Sequence, residues 1–352
     1  MNLYILIWNF QIGGAQKFVV KLANAYVKRG VPVTMLVSNP QGVFKALLDE
    51  RVRVKQFQIP KTNNPFRLWV FYNREMKFIE KDSMIVVNGP NNFRQLSRLN
   101  FLLAKWNIIF RLHNDIEITK STFSVLKSLE MRLLFNQKRV RLLAMSDKQC
   151  DKHKELYKLK TIQHIPNFFP EMPFNDSQKP EGEVRAICLA RFSPEKGYQV
   201  LIPALGRKNQ RLQVDIYGEG PLKEELIQKA RELKLENVNF YDPVVDVNTL
   251  LPKYHFLIMP STYETFGNVI IEAFRHGLPV VSTDCDGPLN FVIEGINGFL
   301  VKKGDIDSLA QKIDKMCEAI NSNSFDNTAI RTSISEIYSE DYVIGRYNQL
   351  FV

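Results

Sequence analysis

The sequence predicts an α/β protein built from two doubly wound parallel sheets. Three observations predict it. The chain has 352 residues, and roughly 100–200 residues per domain gives two domains. Apolar runs of strand length alternate with amphipathic stretches of helical period, the pattern of parallel strands with crossover helices. That alternation stops once, at Ile165–Glu183, where four prolines and many polar residues carry no helical period, and then restarts. Composition agrees: 45% of residues are hydrophobic and 24% charged, ordinary for a globular chain and unlike disordered, collagen-like or coiled-coil sequences.

The first half opens with the apolar run Leu3–Ile7, read as a strand. Gly13 and Gly14 form a turn, and Ala15–Arg29 follows as a helix with Phe18, Leu22 and Tyr26 on one face. Gly30 ends that helix, and Val31–Val37 reads as the next strand. Further buried strands are expected at Ser83–Val87, Ile108–Leu112 and Arg141–Met145. After the Pro-rich stretch, strands are expected at Ala186–Ala190, Gln213–Tyr217, Phe256–Met259, Pro279–Ser282 and Phe299–Val301, with a charged helix at Lys223–Leu235. Ile334–Phe351 reads as a closing amphipathic helix. The expected domains are residues 1–168, binding the acceptor; a linker, 169–184; residues 185–333, binding a nucleotide sugar; and 334–352, a helix packing back on the first domain. Two such sheets place a ligand cleft between them, outside the carboxyl ends of the strands.

The net charge of +10 is unevenly spread. Through residue 172 there are 28 Lys+Arg against 12 Asp+Glu; from residue 173 the figures are 19 and 25. A basic half beside a mildly acidic one suits an anionic partner: nucleic acid, a membrane face or a phosphate-bearing substrate. The cysteines, Cys150, Cys188, Cys285 and Cys317, have no metal-site or disulfide spacing, which fits a reducing cytoplasm. No apolar run is long enough to span a bilayer, and MNLYILIWNF lacks the features of a signal peptide.

Chemistry concentrates in the second half. In LARFSPEKG, Arg191 and Lys196 lie between a strand and a helix, a cationic cradle for a diphosphate. In YGEGP, Gly218 and Gly220 allow a ligand close to the backbone. In PSTYETFGNVIIEAFRHGLPVVSTD, a strand ends at Pro260 and a helix starts near Gly267. The amides of Phe266, Gly267 and Asn268 then stand at a helix N-terminus, where a departing anion is stabilised without a metal. Glu264 in the loop and Glu272 on the helix can hold sugar hydroxyls. In DCDGP, Asp284 and Asp286 have the D-x-D spacing of a divalent-cation site, the basis of a metal-dependent alternative.

These motifs resemble those of the family-4 retaining glycosyltransferases of GT-B fold. ETFGNVIIE matches the family's two glutamates separated by seven residues. ARFSPEKG, IYGEGP, IMPSTYE, GLPVVSTD and EGINGFLV keep its order and spacing, with thinner support from IGGAQKFVVKLA, RLHND and IPN. The resemblance implies that Glu264 and the amides of Phe266, Gly267 and Asn268 reach the transferred sugar and phosphate. It implies that Glu272 holds the ribose, and that Arg191 and Lys196 neutralise the diphosphate. Gly13 and Gly14 would floor the cleft, and His113 would touch the donor sugar. Asp242, Asn290 and Gln16 depart from the pattern, and Asp242 puts the base contacts in doubt. The expected activity is transfer of a hexose, with retention, from a nucleotide-diphosphate donor, a UDP-sugar being favoured, and with no metal or other cofactor. The acceptor is a glycan or lipid-linked glycan of bacterial surface polysaccharide: capsule, O-antigen or lipopolysaccharide. A nucleotide-sugar 2-epimerase is the alternative, and no nucleic-acid partner is expected. Residues 64–78, 93–106 and 126–141 mix cations with aromatic and aliphatic side chains. With the basic half, they suggest a cytoplasmic protein lying on the anionic inner leaflet.

Overall fold

The computed structural model describes residues 2–60, 62, 64–113, 122–170, 182–207, 211–334 and 336–351. Most of the expected linker, residues 171–181, lies outside them, as do Asn114 and Asp115 of the RLHND motif. The chain forms two compact units, Met1–Phe168 with Glu340–Val352, and Phe169–Ser339. Each carries one parallel sheet, the expected fold class.

In the first unit the elements run β1 (Leu3–Ile7), α1 (Gly14–Lys28), β2 (Val33–Val37), β3 (Arg53–Gln56), α2 (Pro65–Phe71), β4 (Met84–Val87), α3 (Pro90–Leu103), β5 (Asn107–Arg111), α4 (Thr122–Phe135), β6 (Val140–Ala144), α5 (Asp147–Tyr157) and β7 (Gln163–His164). The sheet order is β3-β2-β1-β4-β5-β6-β7. β1 is fully buried and pairs with β2 through Leu3↔Val33 and with β4 through Leu3↔Met84. It is therefore the strand at which the order reverses, where ligands of open α/β sheets collect. Burial on both faces explains its unbroken apolar run. The helices α2, α3, α4 and α5 follow one another along the sheet, and the core beneath them includes the stacked rings of Phe93, Phe110 and Phe135.

In the second unit β8 (Arg185–Leu189), α6 (Tyr198–Leu205), β9 (Gln213–Tyr217), α7 (Lys223–Glu232), β10 (Val238–Tyr241), β11 (Phe256–Met259), α8 (Asn268–Arg275), β12 (Val280–Thr283), β13 (Gly298–Val301), α9 (Ile306–Asn321) and α10 (Asn327–Thr332) follow in order. The sheet order is β10-β9-β8-β11-β12-β13. Asp215, on β9, is 1% exposed. It accepts bonds from Arg185 Nη2 at 2.8 Å, Tyr254 Oη at 2.7 Å and Asn239 Nδ2 at 2.9 Å, so the buried charge is compensated.

The closing segment differs from the single helix expected over 334–352. Residues Glu336–Tyr338 form a 3-10 turn, and α11 spans only Glu340–Asn348. The Tyr338 ring packs on Phe266 and Phe291 of the second unit. α11 belongs to the first unit. It buries Val343, Ile344 and Tyr347, and its Tyr347 hydroxyl accepts a 3.0 Å bond from the buried Arg111. Arg29, at the end of α1, pairs with Glu340 and Asp341 in the first turn of α11.

Candidate active site

Four loops leave the carboxyl ends of β8, β9, β11 and β12, and close backbone approaches knit them together. Gly197 has φ +71°, and a Cβ there would lie 1.9 Å from the Pro260 carbonyl oxygen. A Cβ on Gly218 would lie 2.0 Å from the Ala190 carbonyl oxygen. These are the contacts only glycine permits. The amides of Thr262 and Tyr263 donate to the Glu195 carbonyl at 2.9 and 3.3 Å, so the β11 loop hangs from the 3-10 turn Pro194–Lys196. The Gly287 amide donates to the Glu264 carbonyl at 2.9 Å, which lays the β12 loop on the same segment.

This frame brings Lys196 and Glu264 together. Lys196 Nζ donates to Glu264 Oε2 at 2.7 Å, with side chains 22% and 18% exposed. Arg191 is exposed in the same β8 loop. Its charge reaches Glu195: burial would raise that carboxyl, but the Ser193 hydroxyl, its own amide and the charges of Lys196 and Arg191 hold it below its ordinary value. Gly218 directly follows β9.

α8 begins at Asn268, with Gly267 as N-cap at φ 91° and no side-chain cap. A helix offers its first amides no intrahelical acceptor, and the N-cap residue here is a glycine. Glu264 lies just before this helix start. Phe266 is buried, its ring near those of Phe169 and Phe291, which fixes the backbone it carries. Glu272 is 5% exposed within α8, on a buried helix as expected; burial lowers the Arg275 guanidinium and the Glu272 charge counters it. Of the D-x-D pair, Asp284 Oδ1 accepts from the Lys303 amide at 2.9 Å. Asp242 pairs with Lys223 Nζ at 2.8 Å.

The remaining candidates lie in the first unit. Gly13 caps α1 and Gly14 is its first residue, at the end of the β1 loop. His113 follows β5, with its ring 6.4 Å from that of Phe18 on α1. Burial, and then the Arg111 charge, push the imidazole down to about 3, so it is neutral near pH 7. Sequence reasoning did not single out Glu195, which acts through its main-chain carbonyl, a group with no signature in residue type.

Two units, each a parallel sheet with helices, one bearing a cationic loop and a glutamate at its strand ends, make up a fold of GT-B type. Residues 171–330 match the family of glycosyl transferases group 1. The chain is 24% identical over 343 residues to the lipopolysaccharide core biosynthesis glycosyltransferase LpsE of Rhizobium meliloti, covering 96% of this chain and 92% of that one. It is 25% identical over 299 residues to the poly(ribitol-phosphate) alpha-N-acetylglucosaminyltransferase of Staphylococcus aureus, covering 82% of this chain and 59% of that one. Among solved structures, Anabaena Alr3699/HepE in complex with UDP and glucose superposes with TM-score 0.79 at 20% identity, covering 99% of this chain and 98% of that one. The chain thus has the GT-B fold, and the stretch that matches the glycosyl transferases group 1 family lies in the second unit.

Proposed function

We propose that the protein is a family-4 retaining hexosyltransferase that uses a UDP-sugar and extends a glycan or lipid-linked glycan during bacterial surface polysaccharide assembly. The observation that carries this is the juxtaposition of Lys196 and Glu264 at 2.7 Å, in the loop that also carries Arg191 and just before the start of α8. In such a site the leaving diphosphate meets two side-chain cations and helix amides, which offset its growing charge without a metal. Glu264, pinned by Lys196, positions the transferred sugar, and Glu272 takes the ribose. A carboxylate held in an ion pair is a poor covalent nucleophile, which favours a front-face route in which the leaving phosphate helps deprotonate the acceptor. The lipopolysaccharide core biosynthesis named for LpsE, the poly(ribitol-phosphate) and N-acetylglucosamine named for the S. aureus transferase, and the UDP in HepE support the donor and the setting.

The acceptor's place is the inner face of the membrane, with the basic first unit toward it. No helix among the described residues is long and apolar enough to cross a bilayer.

A panel of nucleotide sugars screened for protection against thermal unfolding tests the donor. A UDP-hexose is expected to raise the midpoint most, since a ligand bound only by the folded state stabilises it. Equal protection by every nucleotide, or none, overturns the assignment.

A further inference from the structure

We propose that α2 is the element by which the first unit docks on a phosphate-bearing anionic membrane surface, with Phe66 and Trp69 entering the interface. This rests on the membrane location given above.

α2 is amphipathic in the ordinary sense only through Leu68, which is buried, and Phe71, which packs on the core beside Phe57 with ring centroids 5.4 Å apart. Beside the exposed Arg67, the helix turns apolar side chains toward water. Phe66 is 67% exposed, Trp69 52% and Val70 43%, and the Phe66 and Trp69 rings stack at 6.0 Å. The fold presents this turn deliberately: the Asn64 side chain caps it, accepting from the Phe66 amide at 2.9 Å and the Arg67 amide at 3.3 Å. Scattered surface apolar residues need no partner, but three in five positions, including a tryptophan, mark a contact surface.

The charge around the patch selects its occupant. Arg67, Arg74 and Lys77 accompany it, against Glu75, which pairs with Arg74 at 3.0 Å. The edge strand β3, exposed throughout, adds Arg53 and Lys55. Arg67 and Arg74 also line one open groove of about 440 Å³, together with Val70, Phe71, Gln56 and Gln58. Cations set between exposed aromatic rings are the chemistry of an interfacial helix on anionic lipid. The neighbouring helices continue the character: Phe101 on α3 is 67% exposed, and Leu129 and Leu133 on α4 are 50% and 69% exposed.

The test is co-sedimentation of the full chain with vesicles of phosphatidylcholine containing phosphatidylglycerol, and with phosphatidylcholine alone, at low and high salt. The wild type is expected to bind the anionic vesicles and to lose binding as salt rises. Phe66→Ser with Trp69→Ser should weaken that binding at least about tenfold. Arg67→Gln with Arg74→Gln should weaken it about 25-fold on anionic vesicles, about fivefold per cation, and leave phosphatidylcholine binding unchanged. Circular dichroism should show all variants folded, and Phe66→Leu with Trp69→Phe should retain most binding. If the wild type ignores anionic vesicles, both the membrane location and the role of α2 fall. If it binds but both pairs of variants bind as well as it does, the location stands and the role of α2 falls. If the serine variants instead abolish a dimer seen by sedimentation velocity, without any vesicle binding, the patch joins two copies of the chain and the proposal is overturned.

Discussion

Gly197→Ala tests whether the site's loops are held by close backbone contact. Two costs add at this position. Gly197 sits at φ +71°, where an L-residue loses about 1–2 kcal/mol. The new Cβ would also lie 1.9 Å from the Pro260 carbonyl oxygen. That neighbour is backbone, so no rotamer change relieves the collision. Either the turn bearing Lys196 or the loop bearing Glu264 must move, and overpacking of this kind costs about 1–3 kcal/mol more. Gly304→Ala is the control: it has φ +81° with nothing within 4 Å, so it carries the first cost alone. Urea unfolding should therefore place Gly304→Ala about 1–2 kcal/mol below wild type and Gly197→Ala about 1–3 kcal/mol below that. Calorimetry should find UDP binding kept in the first variant and weakened at least about tenfold in the second, as misplacement of a binding group does. If the two variants unfold alike and both bind UDP normally, the contact does not organise the site.

Arg191→Ala should cut turnover at saturating donor by about 10²–10³-fold, as loss of one charge-stabilising donor does, while unfolding in urea stays near wild type. In a double-mutant cycle with Lys196→Met and Glu264→Gln, the stability coupling should be about 1 kcal/mol, between an exposed and a buried pair; zero coupling denies the ion pair. Asp215→Asn should cost about 2–3 kcal/mol in unfolding free energy, because it removes the charge that Arg185 and Tyr254 satisfy; a neutral result contradicts the network. His113 has its imidazole lowered from 6.5 to about 3. Between those values the unfolded chain binds the extra proton, so stability falls as pH drops below about 6.5, by up to about 1.4 kcal/mol per pH unit from this group. His113→Gln should flatten the slope of thermal midpoint against pH between neutral and mildly acid conditions. An unchanged slope places the imidazole in water.

Strands buried on both faces were legible almost to the residue. Leu3–Ile7, Gln213–Tyr217 and Phe256–Met259 are observed as expected, because a continuous apolar run has few other uses. The strands that escaped notice, Arg53–Gln56, Gln163–His164 and Val238–Tyr241, lie at sheet edges. Arg53–Gln56 is exposed at every position, so no apolar pattern marks it, and edge strands favour charge because it discourages further pairing. The closing helix was read too long because Ile337 and Tyr338 carry its apolar period, yet Tyr338 spends its ring on Phe266 and Phe291. Within the site, the helix start at Gly267 and the positions of Arg191 and Lys196 in the loop after β8 were readable from glycine and charge placement. The pairing of Lys196 with Glu264, 68 residues apart in the chain, was not, because only the fold joins β8 to β11. The reach of Glu195 to the Thr262 amide was also hidden, since any residue carries the carbonyl that makes it.

The central claim is that positive side chains and helix amides of the second unit hold a diphosphate without help from a metal. Calorimetric titration of UDP and of UMP in the presence of EDTA addresses it most directly. The wild type should bind UDP at least about 30-fold tighter than UMP, about 2 kcal/mol for the added phosphate. Arg191→Ala with Lys196→Ala should remove most of that difference. UDP and UMP binding equally well, or UDP binding only once a divalent cation is restored, would contradict it.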